Sequence, residues 1–208
     1  MRILVIETAT AACSVALFQN GTLLAHNHDV VGRGHAEHLI PMIGALPDQG
    51  RADLILVDCG PGSFTGVRVG VAAARGLGLG WKAPVQGFSS LALIAAGDWP
   101  DGAPALAVAI NGGHGQIFVQ SFAAGPMRPL SDLKSLTPEA AGDSVAEHII
   151  LGSGAEALVA ARGHGEVIAS DPDAKNAMKI PENMRSERAT PLYGRAPDAK
   201  PPSIRIAP

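Results

Sequence analysis

The chain has 208 residues, 47% of them hydrophobic, which is enough for the core of one large domain or two small lobes. Its 16 basic and 19 acidic residues leave a net charge of -3, so it lacks the cationic excess with which a protein binds nucleic acid unaided. The two cysteines belong to no paired motif, so we expect no disulfide framework. The sequence shows neither the apolar core of a signal peptide nor an apolar run of roughly 20 residues that could span a membrane. We therefore expect a cytoplasmic protein.

The chain opens with a pattern that predicts three antiparallel strands. Short apolar segments at 3–6, 13–19 and 22–26 read as strands, and Asn20-Gly21 joins the last two. Asn-Gly is a strong hairpin signal because both central positions of the turn need positive φ. We therefore expect a three-stranded meander.

Helices and a buried strand follow the meander. Apolar residues at helical spacing predict a helix up to residue 46, which Pro41 should kink because proline removes a backbone hydrogen bond. Residues 54–58 form a continuous apolar run, as expected of a strand buried on both faces. A glycine-rich loop, a helix over 67–80, a short strand and a serine-capped helix complete this half.

The same order of elements recurs after a linker at 98–104. Strands near 105–111, 116–122 and 128–133 precede a helix that begins at Thr137-Pro138, and a buried strand, a glycine turn and another helix follow. Two such units predict a two-lobed α/β protein in which each lobe is a mixed sheet of meander plus crossover strands with flanking helices. We place the lobes at 1–100 and 101–208.

This architecture resembles that of actin, sugar kinases and heat-shock ATPases, and several segments resemble the TsaB (YeaZ) family in particular. The resemblance covers residues 1–122 and returns near 190–200. It is carried by the segments ILVIETATAACSVAL, HAEHLIPMI, GPGSFTGVRVGVAAARGLGLG and PLYGRAPDAK.

The resemblance implies a non-catalytic subunit of the machinery that makes threonylcarbamoyladenosine on tRNA, next to the anticodon. Members of this family pair with a TsaD-like catalytic subunit, are joined by a TsaE-like ATPase, dimerise when alone, and meet tRNA only through the complex. The alternative is an enzyme of the same fold, either a small-molecule kinase or ATPase or a metallopeptidase of the older glycoprotease label.

The glycine-rich loop has two interpretations. Backbone N–H groups at the start of the following helix could form a vestigial anion or nucleotide site made by Gly60, Gly62, Ser63 and Thr65. However, no lysine follows, as a phosphate-binding loop requires. We therefore favour a tight strand-to-helix turn with Ser63 or Thr65 as the helix cap.

The turn after the first strand also lacks what nucleotide binding needs. ATPases of this fold carry an aspartate and a glycine there, whereas this chain has Glu7, Thr8, Ala9 and Thr10. The threonines could donate hydrogen bonds, but the methyl group of Ala9 would crowd a phosphate. We expect no ATP hydrolysis, no cofactor and no catalytic residue in the isolated chain.

The histidines do not form a recognisable metal motif. His35 and His38 lie one helical turn apart, near Glu37, but a zinc site wants a third ligand and the spacing is one residue short of His-x-x-x-His. His26 and His28 share one face of a strand and receive the same interpretation. We therefore predict no metal site.

Small residues recur every fourth position in the helix after the glycine loop. Each glycine inside a helix destabilises it by about 1 kcal/mol relative to alanine. One explanation for a ridge of such residues is that a partner helix approaches it closely. Packing against the protein's own sheet is the other. We predict a partner surface made of His35, His38, Leu39, Met42, Gly66, Arg68, Gly70, Ala74 and Gly78.

Two further features depart from the family pattern or remain open. After the first strand of the second lobe, Asn111, Gly113 and Gln116 stand where the family carries charged residues, which puts ligand contacts in that cleft in doubt. Basic residues gather late in the chain, and a solvated terminus is favoured over an RNA contact. They are Arg185, Arg188, Arg195, Lys200 and Arg205.

Overall fold

A computed structural model describes residues 1–192 and 194. The first sheet has the strand order β3-β2-β1-β4-β5, in which β1, β2 and β3 are antiparallel neighbours and β4 and β5 run parallel to β1. The predicted meander with crossover strands is thus confirmed. Its strands are β1 (Arg2–Glu7), β2 (Ala12–Gln19), β3 (Thr22–Val30), β4 (Leu54–Asp58) and β5 (Val85–Phe88).

The second sheet repeats this topology in the order β11-β10-β6-β7-β8, and β9 pairs with β7 as well. The matching orders confirm the duplicated two-lobed α/β fold. The strands are β6 (Ala105–Gly113), β7 (Gln116–Ala123), β8 (Arg128–Pro129), β9 (Lys134–Leu136), β10 (Ile149–Leu151) and β11 (Glu166–Ile168).

Local chemistry sets the ends of the helices. Ser63, Ser89 and Thr137 each accept a hydrogen bond from a backbone N–H in the first turn of the helix that follows, which confirms the cap at Thr137 and selects Ser63 over Thr65 after the glycine-rich loop. Within the described residues, 3-10 turns lie at Pro47–Gly50, Ala174–Lys179 and Glu182–Met184. The α-helices are α1 (His35–Gly44), α2 (Phe64–Trp81), α3 (Ser90–Gly97), α4 (Pro138–Ser144) and α5 (Ala155–Arg162).

The hairpin between β2 and β3 has the backbone that its sequence predicts. Asn20 has φ 51° and Gly21 has φ 82°, so both central positions adopt the left-handed conformation. Pro41 lies inside α1, as expected.

Alternating residues of the first sheet divide its core into two layers. Leu4 and Ile6 point to the side covered by α1 and α2, whereas Ile3 and Val5 point to the other side. On that other side a single apolar cluster joins residues of both sheets around α3, of which residues 90–95 are buried. A third cluster lies beneath α4 and α5.

The chain returns to the first sheet after β11. The 3-10 turn Ala174–Lys179 packs against β1, β2 and β3, and the backbones of Gly87 and Ser186 exchange two hydrogen bonds, of 3.0 and 2.8 Å. The boundary at residue 100 between the lobes stays a prediction. Most of the segment 190–200, on which part of the family resemblance rests, lies outside the described residues, as do Arg195, Lys200 and Arg205.

Candidate functional site

The glycine-rich loop and the turn after β1 are packed directly against each other. The Ser63 N–H donates to the Ala9 carbonyl at 2.6 Å, and the Thr8 hydroxyl donates to the Gly66 carbonyl at 2.8 Å. A side chain at Gly62 would lie 2.0 Å from the Ala9 oxygen, so only glycine fits this contact. The space that a phosphate would need between turn and loop is therefore filled by the protein itself.

The backbone donors of the loop that the structure accounts for are used internally. The Gly66 N–H donates to the Ser63 side chain, and the Gly60 N–H donates to Asp58 at 2.6 Å. Gly60 also has φ 91°, which explains the need for glycine. Thr65 is exposed, while Thr10 accepts a hydrogen bond from the Ala12 N–H. These contacts favour the structural turn over the anion site.

Two carboxyl groups lie buried at the carboxyl ends of β1 and β4, which are parallel neighbours. Glu7 and Asp58 are both 0% exposed. Glu7 accepts a hydrogen bond from the Ala9 N–H at 2.6 Å, and Asp58 accepts one from the Ser90 hydroxyl at 2.8 Å. Ligands of α/β sheets usually bind at this edge, but here the carboxyl groups stabilise two turns and have no access to solvent.

Burial controls the protonation of this pair. It raises the pKa of Asp58 to about 7 and, together with the negative charge of Asp58, raises the pKa of Glu7 well above its ordinary value. One oxygen of each carboxyl group has no hydrogen-bond partner among the described residues. Sequence reasoning missed Asp58, although an acid at the end of a buried strand was the available signal. Burial likewise raises the pKa of the Cys59 thiol to about 12, which disfavours the thiolate that a nucleophile needs.

The predicted small-residue ridge of α2 faces the protein's own sheet, so the prediction that it contacts a partner is wrong. Ala74 is 0% exposed, and Gly66, Gly70 and Gly78 are also buried. A Cβ atom at Gly70 would lie 2.4 Å from the Thr8 hydroxyl, and one at Gly78 would lie 2.6 Å from the Val85 side chain. The small residues allow α2 to approach the sheet closely.

Three of the residues predicted on α1 are also core residues rather than partner contacts. Leu39 and Met42 pack beneath α1 in the first sheet's core, because they fall on the apolar side of the helix. His35 is 7% exposed, and its Nε2 lies 3.0 Å from the Ala12 carbonyl, so Nε2 must carry the hydrogen. His38 is exposed, and no third metal ligand joins these two histidines within the described part of the chain.

The opposite, exposed sides of α1 and α2 form a candidate interface. Both helices cover the same side of the sheet and pack beside each other, so their outer sides face away from the protein together. The Arg68 guanidinium stacks over the Phe64 ring, 3.5 Å from its centre. We name as the α1–α2 face the exposed residues Ala36, His38, Ile40, Phe64, Arg68, Ala72, Gly76 and Leu79.

This face is apolar for an exposed surface. Leu79 is 84% exposed, and Ile40 and Phe64 are each 53% exposed. Gly76 has open space around its Cα, so the backbone of α2 is accessible there. Of the residues predicted for a partner surface, only His38 and Arg68 lie on this exposed side of the two helices.

The departures in the second lobe lie at the end of the β6–β7 hairpin. The Asn111 side chain donates to the Ser153 carbonyl at 3.1 Å, and Gln116 accepts from the Ser135 hydroxyl at 2.8 Å. Gly113 has φ 74°, as a tight turn requires. These residues therefore serve local structure and form no charged site.

The late arginines that the structure describes are not a cationic patch. Arg185 donates to the Ile180 carbonyl at 2.8 Å, and its burial lowers the pKa of the guanidinium. Arg188 is exposed. None of the helices in the described part of the chain combines the length and the hydrophobicity that crossing a lipid bilayer requires.

A family model and several curated relatives that match this chain all have names related to threonylcarbamoyladenosine on tRNA. The family model described as "TsaD: tRNA N6-adenosine threonylcarbamoyltransferase" matches residues 28–180. The chain is 40% identical over 124 residues to the tRNA threonylcarbamoyladenosine biosynthesis protein TsaB of Escherichia coli, covering 57% of this chain and 53% of that protein. The TsaB of Bacillus subtilis is 35% identical over 101 residues, which cover 46% of this chain and 44% of that protein. The chain thus spans about half the length of the curated relatives it matches.

A solved structure matches over nearly the whole length. YeaZ from Pseudomonas aeruginosa superposes with a TM-score of 0.78 at 28% identity, covering 92% of this chain and 99% of that one.

Proposed function

This chain belongs to the TsaD family and resembles its TsaB (YeaZ) members, and on that premise we propose that it is a non-catalytic subunit of a threonylcarbamoyladenosine-forming complex. In this proposal the chain binds a TsaD-like catalytic subunit through the α1–α2 face. It performs no phosphate chemistry itself.

The close packing between the turn after β1 and the glycine-rich loop supports a non-catalytic role. A nucleotide bound there would have to displace the Ser63 to Ala9 hydrogen bond and expose two carboxyl groups that are 0% accessible. Those carboxyl groups could coordinate a metal only if the loop opened. The chain is therefore better suited to assembly than to turnover, which opposes the kinase or ATPase alternative.

The exposed apolar residues of the α1–α2 face support its role in binding a partner. Burying one leucine or phenylalanine side chain contributes roughly 2 kcal/mol, so Leu79, Ile40 and Phe64 together offer a useful driving force for association. Because the face is a pair of helices, a pair of helices on the partner can pack against it. A second copy of this chain satisfies the same requirement when the partner is absent, so we propose a homodimer through this face.

Contact with tRNA is assigned to the complex. A net charge of -3 gives the chain few cations with which to release counterions from phosphates. We further propose that a TsaE-like ATPase joins the two subunits and that the assembly is cytoplasmic.

Reconstitution tests this function. Purified TsaD-like and TsaE-like proteins from the same cell are supplied with tRNA, ATP and the threonylcarbamoyl donor, with and without the chain, and threonylcarbamoyladenosine is measured in digested tRNA. We expect formation only when the chain is present. Equal formation without the chain contradicts the proposal, and so does phosphate release by the chain alone that Glu7→Gln abolishes.

A further inference from the structure

Three metal-binding side chains meet where the returning segment crosses β3. His26 and His28 lie on one side of β3 because side chains two apart in a strand point the same way. Asp173, 147 residues later than His26, precedes the 3-10 turn Ala174–Lys179 and reaches both rings. The sequence shows the two histidines but not the third group, which is why the sequence alone predicts no metal site here.

The distances are close to those of a metal site. His26 Nε2 and Asp173 Oδ1 form a 2.6 Å hydrogen bond, which a bound ion would replace, and His28 Nδ1 lies 3.8 Å from Asp173 Oδ2. One ligand atom from each residue lies within 4.8 Å of the other two. Zinc binds nitrogen and oxygen at about 2.0–2.2 Å, which places tetrahedral ligands roughly 3.4 Å apart, so small rotations of these side chains suffice.

One of these ligand atoms, on His28, is a buried polar atom without a hydrogen bond in the part of the chain that the structure describes. His28 Nδ1 is inaccessible to solvent and makes no hydrogen bond among the described residues. An unsatisfied buried nitrogen costs about 1–3 kcal/mol, and a bound cation removes that cost.

The surrounding groups orient the carboxylate. The Ser14 hydroxyl, which is fully buried, donates to Asp173 Oδ1 at 3.2 Å and accepts from the Ala174 N–H at 3.0 Å. Such outer hydrogen bonds hold ligands in place in known sites. The Lys175 ammonium lies 2.8 Å from Asp173 Oδ2, but its side chain is 49% exposed, so it can turn to solvent when a cation replaces it.

We propose that His26 Nε2, His28 Nδ1 and one oxygen of Asp173 bind a divalent cation of the zinc class, with water as the fourth ligand. Imidazole and carboxylate ligands suit Zn²⁺ and Co²⁺, whereas Mg²⁺ and Ca²⁺ prefer oxygen alone. The ion fastens the returning segment to β3 and so stabilises the contact between the first sheet and the end of the chain. It takes no part in the proposed modification of tRNA.

Two titrations of the full chain test the site after a chelator has removed any bound metal. Calorimetry follows the binding of Zn²⁺, and visible absorption follows the binding of Co²⁺. We expect one ion per chain and the intense bands of tetrahedral Co²⁺. His28→Gln should weaken binding about tenfold or more, yet leave the melting temperature of the metal-free protein nearly unchanged, because the Nδ1 atom of His28 makes no hydrogen bond within the described part of the chain and lies 3.8 Å from Asp173. His164→Gln, at an exposed histidine after α5, is the matched control and should bind like the wild type.

A second pair of variants tests the role of Asp173 without altering it. Lys175→Gln removes the cation that competes for Oδ2, so it should tighten Zn²⁺ binding several-fold, whereas Lys179→Gln on the same 3-10 turn should not. Binding well below one ion per chain overturns the proposal. Equal affinity in wild type and His28→Gln does so too, and equal affinity in the two lysine variants overturns the part assigned to Asp173.

Discussion

Two glycines of α2 should respond in opposite directions to the same substitution. Gly70 faces the sheet and Gly76 faces solvent, and both lie in the interior of one helix. Replacing glycine by alanine there contributes about 1 kcal/mol through helix propensity. The difference between the two variants therefore isolates what each new methyl group touches.

The new methyl group at Gly76 meets nothing within 4 Å, so Gly76→Ala should stabilise the fold by about 0.5–1 kcal/mol. At Gly70 it would lie 2.4 Å from the Thr8 hydroxyl, which donates a buried hydrogen bond to the Gly66 carbonyl. Breaking that bond and forcing the helix outward costs about 2–4 kcal/mol, which exceeds the propensity gain. Gly70→Ala should thus lose about 1–3 kcal/mol.

Thermal unfolding followed by circular dichroism measures both variants. For a chain of this size, 1 kcal/mol corresponds to about 2–4 °C, so the melting temperature should rise by about 2 °C in Gly76→Ala and fall by several degrees in Gly70→Ala. Adding Thr8→Ala should reduce the cost of Gly70→Ala, because the obstructing hydroxyl is gone. If Gly70→Ala proves as stable as Gly76→Ala, the ridge does not pack on β1 and the assignment of the two sides of α2 is refuted.

Three other outcomes follow from the same structure. Burial raises the pKa of Asp58 from 3.8 to about 7, so the folded chain binds a proton that the unfolded chain has released. The stability due to that proton is complete below about pH 4 and is lost, by up to about 1.4 kcal/mol per pH unit, as the pH rises to 7. Asp58→Asn should flatten this dependence in urea unfolding and raise stability at pH 8; an unchanged pH profile contradicts the assignment. Ala74→Arg should unfold the protein in the same assay, because Ala74 is 0% exposed and the charge would be buried, whereas a native melting temperature would place Ala74 at the surface. The isolated chain should bind tRNA only weakly in filter binding, because its net charge of -3 leaves few cations to neutralise phosphates; sub-micromolar affinity at physiological salt would contradict this prediction.

Local features of the fold were predictable because a few neighbouring residues determine them. The turn at Asn20-Gly21 and the caps at Ser63, Ser89 and Thr137 depend on side chains and φ angles within four positions. The duplicated order of strands and helices also followed from apolar periodicity, which the two matching sheets confirm.

It was harder to predict which side of a helix faces the core. Small residues permit close approach equally to a partner or to the protein's own sheet, so the spacing of Gly70 and Ala74 defines a side without saying what covers it. For α1 the core side was predictable, because His35, Leu39 and Met42 lie on the same side of the helix as the apolar residues that follow them. The meeting of His26 with Asp173 depends on how the end of the chain returns, which no local pattern encodes.

The central claim is that the chain binds a TsaD-like subunit through the α1–α2 face. Calorimetry tests it most directly, by measuring how the TsaD-like subunit from the same cell binds two matched arginine variants. Ala72 on the α1–α2 face and Ala157 on α5 are both exposed helical alanines, and arginine has nearly the same helix propensity, so both variants should keep the native melting temperature. We predict that Ala157→Arg binds like the wild type and that Ala72→Arg binds at least about tenfold more weakly, because its charge would be desolvated in the interface. Equal binding by the two variants, or no binding by the wild type, would contradict the account.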